Sequence, residues 1–213
     1  MYQTILFDLD GTLTDPGIGI TNSVSYVLER YGIEVPAREE LYRFIGPPLH
    51  ESFERYYNFS EEEAKKAVKC YREYYREKGI YENRVYDGIE NVLKVLKDSG
   101  KKAAVATSKP EEFARKILEH FHLSQYFLHI AGASMDGSRT QKHEMILDAL
   151  DACQIKDKSE VIMVGDREYD VIGASKVGID SLGVLYGYGD YEELKRAGAD
   201  YIVKEPKDIL SVI

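Results

Sequence analysis

The chain has 213 residues, 44% of them hydrophobic, enough to bury one large core or two small ones. Its formal net charge of -9 argues against a nucleic acid polymer as partner, because phosphate backbones call for a basic surface; a small anion held by a few local cations stays open. Cys70 and Cys153 lack metal-ligand spacing, no basic-then-apolar leader opens the chain, and no apolar run approaches the ~18 residues of a membrane span. These features lead us to expect a cytoplasmic protein with reduced thiols, monomer or dimer, with no membrane partner.

In chain order, "TILF" (4–7) is a short apolar run that ends in Asp8. Residues 15–86 then hold helical patterns and no convincing strand. Ile20, Val24, Val27, Leu28 and Tyr31 mark one apolar stripe. "SEEEAKKAVKCYREYYREKG" carries a capping box, Ser60 with Glu63, and a second stripe through Ala64, Ala67, Val68, Tyr71 and Tyr75. From residue 88 onward, strands and helices alternate. "AAVATS" (103–108), "LHIAG" (128–132), "VIMVG" (161–165), "SLGVL" (181–185) and "YIV" (201–203) are continuous apolar runs of the kind a two-sided parallel sheet needs. Helical stripes fall between them, as at Ile89, Val92, Leu93 and Leu96, or Met145, Ile146, Ala149 and Leu150. The fold expected is α/β: a doubly wound, Rossmann-like parallel sheet from 1–14 and 87–213, with an all-helical cap inserted over 15–86. An insert after the first strand leaves from the sheet's C-terminal edge, where such sheets bind ligands, so it is placed to act as a lid.

"ILFDLDGTLTD" gathers Asp8, Asp10 and Asp15 at a strand end, where carboxylates repel one another and lose water. Other predicted strands end in polar groups too. "ATSK" supplies Thr107 and Ser108, "GDREYD" supplies Asp166 and Asp170, and Lys142 stands at a helix entry in "TQKHEM". Singly, each has a plain explanation as a helix cap, a turn acid or a surface lysine. Together they form an ordered series at strand ends.

That series resembles the four motifs of the haloacid dehalogenase superfamily, in order and over the whole length, with "DLDGT" as the first. The resemblance is to capped members such as phosphoglycolate phosphatases and small bacterial 5'-nucleotidases. The second aspartate is the mark of phosphate-handling members and sets dehalogenation aside. The resemblance implies Asp8 as nucleophile and Asp10 as general acid and base. It implies Thr107, Ser108 and Lys142 as phosphate-binding groups. Mg2+ would be held by Asp8, the Asp10 carbonyl and Asp166, with Asp170 in support. The substrate implied is a small phosphorylated metabolite. A phosphomutase would share these motifs, and a non-catalytic binder of phosphorylated ligands would keep the fold.

In the cap, "RFIGPPLHESF" (43–53) contains a rigid Gly-Pro-Pro corner. Arg43, Gly46, Pro47 and His50 are the candidates there for substrate recognition. Gly17 and Gly19 suit a hinge. Ten of the 17 tyrosines fall within 15–86, suited to packing the small helical core or to stacking a base.

Overall fold

A strand at the centre of a parallel sheet must bury both faces, and "TILF" can do so. In the computed structural model, which describes residues 1–213, that is its place. The strands are β1 (Thr4–Phe7), the short pair β2 (Thr14–Asp15) and β3 (Arg84–Val85), then β4 (Lys102–Pro110), β5 (Ile130–Ala133), β6 (Val161–Gly165), β7 (Asp180–Val184) and β8 (Tyr201–Val203). Six of them form a sheet of order β5-β4-β1-β6-β7-β8, every neighbouring pair parallel. The doubly wound fold expected from the apolar runs is the one observed.

Strand residues alternate between the two faces. Leu6, Ala104, Ala106, Ala131 and Met163 share one buried cluster with Met145, Ile146, Ala149 and Leu150 of α7 (Lys142–Ala152) and with Ala174 and Val177 of α8 (Glu168–Val177). Ile5, Phe7, Val105, Ile162 and Val164 take the alternate positions and are wholly buried as well. Phe7 meets Phe127 edge-on, with ring centroids 6.2 Å apart. Burying each large side chain contributes about 2 kcal/mol. These contributions hold the strand ends, and whatever follows them, in fixed register.

The chain divides into two compact units, Met1–Thr14 with Val85–Ile213, and Asp15–Arg84. The second is helical: α1 (Gly17–Arg30), α2 (Arg38–Leu41), α3 (Leu49–Tyr57) and α4 (Glu61–Tyr74), the last continued by a π-helical turn, Tyr75–Gly79. Ser60 and Glu63 form the expected capping box, each satisfying a backbone N–H of the other. Ile20, Val24, Val27 and Leu28 are buried, whereas Tyr31 follows the last turn of α1, is partly exposed and stacks on Phe59 at 5.0 Å.

The structure bears on two readings of the insert. Gly17 and Gly19, expected to suit a hinge, both lie in the first turn of α1. A Cβ on Gly19 would come within 1.9 Å of the Gly79 carbonyl oxygen, so close packing of α1 on the π turn explains that glycine. The insert's tyrosines largely pack on one another and on phenylalanines. Phe44, Phe53, Tyr57 and Phe59 form one aromatic cluster, and Tyr71 stacks on Tyr75 at 5.4 Å. Tyr86 lies outside this unit and meets Tyr186 edge-on.

Candidate active site

From β1, the sheet runs to β4 and β5 on one side and to β6, β7 and β8 on the other. The residue after β1 therefore stands where the order of connections reverses, the usual place for a ligand crevice in such sheets. Asp8 holds that position, its N–H donating to the Val164 carbonyl at 2.9 Å. Asp166 follows β6 and is wholly buried. Asp170 lies in the first turn of α8 and accepts from the Arg167 N–H at 3.1 Å. Lys142 opens α7, with its stem packed so closely on Gly173 that a Cβ there would sit 2.7 Å from Lys142 Cγ.

The four groups converge. Lys142 Nζ lies 2.8 Å from Asp8 Oδ1 and 2.7 Å from Asp170 Oδ1, and donates to the Ala106 carbonyl at 3.1 Å. One carboxylate oxygen each from Asp8, Asp166 and Asp170 fall within 4.8 Å of one another. Asp166 is fixed at both oxygens: Thr12 Oγ1 donates to one at 3.2 Å and the Tyr188 N–H to the other at 2.8 Å. Gly11 makes this possible. Its φ is +84°, and a Cβ there would come 2.2 Å from Asp166 Oδ2, so any side chain would displace the acid.

The electrostatics follow from burial. Asp166 is pushed well above the usual carboxylate range by desolvation, with Asp170 and Asp8 adding like charge. Burial likewise raises Asp170 to about 6, against the pull of Lys142. For Lys142 itself burial disfavours the charge, yet Asp170 and Asp8 outweigh it and its pKa ends above the ordinary lysine value. Asp10 is raised by burial, with Lys109 opposing and Asp8 reinforcing the shift. Four buried carboxylates, Asp8, Asp10, Asp166 and Asp170, thus stand against two buried ammonium groups, Lys109 and Lys142. An all-oxygen donor set whose acids, when ionised, outnumber the buried cations by two fits a hard divalent cation.

Thr107 is buried on β4, but it caps no helix. The strand runs on to Pro110 before α6 (Glu111–His120) begins, and Thr107 Oγ1 accepts the Lys109 N–H at 3.2 Å. Ser108 beside it is half-buried. Asp10 lies two residues beyond Asp8 in the turn that leads to β2, ion-paired with Lys109. In the helical unit, the Arg43 guanidinium stacks over the Tyr56 ring at 4.2 Å. Gly46 has a φ of +105° in the corner with Pro47 and Pro48. His50 lines a surface depression of about 570 Å³ with Glu54, Phe59, Glu61 and Lys65.

Over residues 5–184 the chain matches the haloacid dehalogenase-like hydrolase family. It belongs to that family. Among curated proteins it is 48% identical to a 5'-nucleotidase of Pseudomonas aeruginosa over 91% of this chain and 87% of that one. It is 44% identical to the tyrosine-protein kinase PtkA of Mycobacterium tuberculosis over 88% of this chain, spanning 63% of the kinase's length. Among solved structures, a predicted phosphatase from Clostridium acetobutylicum superposes with a TM-score of 0.95 at 52% identity, covering 99% of both chains.

Reading the sequence of this haloacid dehalogenase-like hydrolase missed two partners in the site. Lys109 stands two residues after Thr107 in the same motif, and that proximity was the available signal, although the strand's register shifts between Thr107 and Pro110. Tyr188 reaches Asp166 through a backbone N–H, which no residue type could announce.

Proposed function

We propose that this hydrolase is a Mg2+-dependent phosphatase acting on a small soluble phosphomonoester, with Asp8 as nucleophile. The observation that carries the reading is the single Lys142 ammonium held between Asp8 and Asp170, with Asp166 beside them. A buried lysine there neutralises the attacking acid and the transferring group together, while Asp8 remains an available oxygen nucleophile.

In the first step an Asp8 carboxylate oxygen attacks phosphorus in line, and the ester P–O bond breaks. Asp10 gives its proton to the departing alkoxide, which leaves as an alcohol, and the phosphoryl group stays on Asp8. In the second step Asp10 takes a proton from water, whose oxygen attacks the same phosphorus. Inorganic phosphate leaves and the Asp8 carboxylate is restored. Burial favours the first step, since it raises the Asp10 pKa by disfavouring the charged form, with Lys109 opposing. Thr107, Ser108 and the amides around them would bind the phosphoryl oxygens, with Lys142 completing the anion site. Mg2+ would be held by Asp8, the Asp10 carbonyl and Asp166, backed by Asp170. When bound it supplies positive charge to the phosphoryl oxygens.

Recognition of the rest of the substrate falls to the helical unit, with Arg43, Gly46, Pro47 and His50 as its candidate residues. The relative named 5'-nucleotidase makes nucleoside 5'-monophosphates the first substrates to try. Phosphoglycolate is the next, after a phosphoglycolate phosphatase of Vibrio parahaemolyticus at 25% identity. We place the protein in the cytoplasm as monomer or dimer.

The test is phosphate release from a panel of phosphomonoesters, with Mg2+ and with chelator. Release from at least one compound is expected, lost on chelation and lost in Asp8→Asn, whose fold is retained by circular dichroism. Undiminished turnover in Asp8→Asn overturns the nucleophile. Transfer onto a sugar or a tyrosine hydroxyl in place of phosphate release overturns the hydrolytic reading and favours a mutase or a kinase.

A further inference from the structure

We propose that Lys109 is a positioning residue for the proton-transfer acid: it holds Asp10 by one carboxylate oxygen so that the other is left for proton exchange. The proposal rests on the reading of Asp10 given above. Lys109 Nζ donates to Asp10 Oδ2, and both side chains are nearly buried, at 6% and 12% exposed. Asp10 Oδ1 is also buried but has no hydrogen-bond partner in the protein.

Burying an ion pair does not need to help the fold, since an apolar pair of the same volume is often as stable. A strand-end lysine with four methylenes can ordinarily carry its charge to water. Lys109 instead turns inward, and its ammonium meets the Asp10 carboxylate. The site's two buried lysines divide the work. Lys142 binds Asp8 and Asp170, and Lys109 binds Asp10. Asp8 and Asp10, only two residues apart, are thereby kept on separate cations. Tethering at Oδ2 fixes the rotation of the Asp10 carboxyl, which presents Oδ1 as the atom that gives a proton to the alkoxide and later takes one from water. An acid free to rotate would lose that orientation, and with it much of the benefit of protonating a poor leaving group.

Leaving-group dependence reads this role directly. An aryl phosphate with an acidic phenol needs little proton assistance, whereas an alkyl phosphate needs it fully. Asp10→Asn is expected to lose about a hundredfold or more in kcat on the alkyl ester and much less on the aryl ester. Lys109→Met is expected to show the same split, to about a tenth to a hundredth of wild-type kcat on the alkyl ester, with KM little changed. Lys109→Arg, which keeps the cation, should recover part of the alkyl activity.

Removing one member of a buried pair can unfold the site, so the double variant Lys109→Met with Asp10→Asn, neutral at both positions, is measured as well. If Lys109 acts through Asp10, the double variant is within about twofold of Asp10→Asn alone. Equal loss on both esters in Lys109→Met, a rise in KM alone, or a further tenfold loss in the double variant overturns the proposal and makes Lys109 a direct phosphate ligand. If Asp10→Asn shows no leaving-group split, the acid's role fails and the proposal fails with it. If Asp10→Asn shows the split and Lys109→Met does not, only the proposal falls.

Discussion

The acids at the strand ends and the acids on the helical insert have opposite physical fates. Asp10, Asp166 and Asp170 are buried, and desolvation raises the pKa of each. Glu61 and Glu63, on the first turn of α4, lie in water, and hydrogen bonds from Lys65 and Ser60 lower theirs. The first group costs stability and is held in place by a core that offsets the cost. The second contributes a little and constrains nothing beyond its own helix. Reaction chemistry belongs where the fold can hold unfavourable charge in a fixed place. The insert is instead built on stacked aromatic rings and surface ion pairs.

The sharpest way to break this comparison is at Lys142. Lys142→Met strands Asp8 and Asp170 without their shared cation, and we expect turnover to fall by about a hundredfold or more, with a stability loss of about 3–5 kcal/mol. Steady-state kinetics and thermal melts check both. A variant that keeps half its activity would show that the buried charges are structural.

A lesser effect is expected from Phe53→Ala, which empties the middle of the insert's aromatic cluster. Phe53 is wholly buried against Phe44, Tyr57 and Phe59, so the cost is about 3–5 kcal/mol. Hydrogen exchange should show the loss confined to residues 15–84, with the sheet's protection unchanged. Loss of protection across both units would mean that they do not fold separately.

The smallest effect is expected at the capping box. Ser60→Ala should cost about 1 kcal/mol and return the Glu63 pKa toward 4.5. Glu63 is depressed in the folded state, so its contribution is complete above the unfolded value of 4.5 and is lost as pH falls through the lower folded value. Acid titration of both proteins by circular dichroism checks the sign: the difference between them should shrink below that window.

Much of this was legible because residue type and position coincide at strand ends. An apolar run that stops at an acid, as "TILF" stops at Asp8 and "VIMVG" at Asp166, declares both the strand and the side that carries the polar group. The capping box and the apolar stripes of α4 and α5 (Ile89–Asp98) were equally plain, being patterns of neighbours along the chain. The glycines were harder. Gly19 looks like any flexible residue until Gly79, sixty positions away, is found against it. Lys109 went unread because nothing near it in sequence says that β4 runs on to Pro110.

What the sequence determined unaided was the alternation of strands and helices in the sheet domain, the positions of the acids along them and the family to which they belong; the short β2–β3 pair at the ends of the insert was not read. These depend on local pattern, which the chain writes residue by residue. Only the tertiary structure decided which donor faces which acid: Lys142 between Asp8 and Asp170, Lys109 on Asp10, and Thr12 with the Tyr188 amide on Asp166. Charge pairing depends on distance through space, and β1, β4 and β6 become neighbours only when the sheet closes around a shared core.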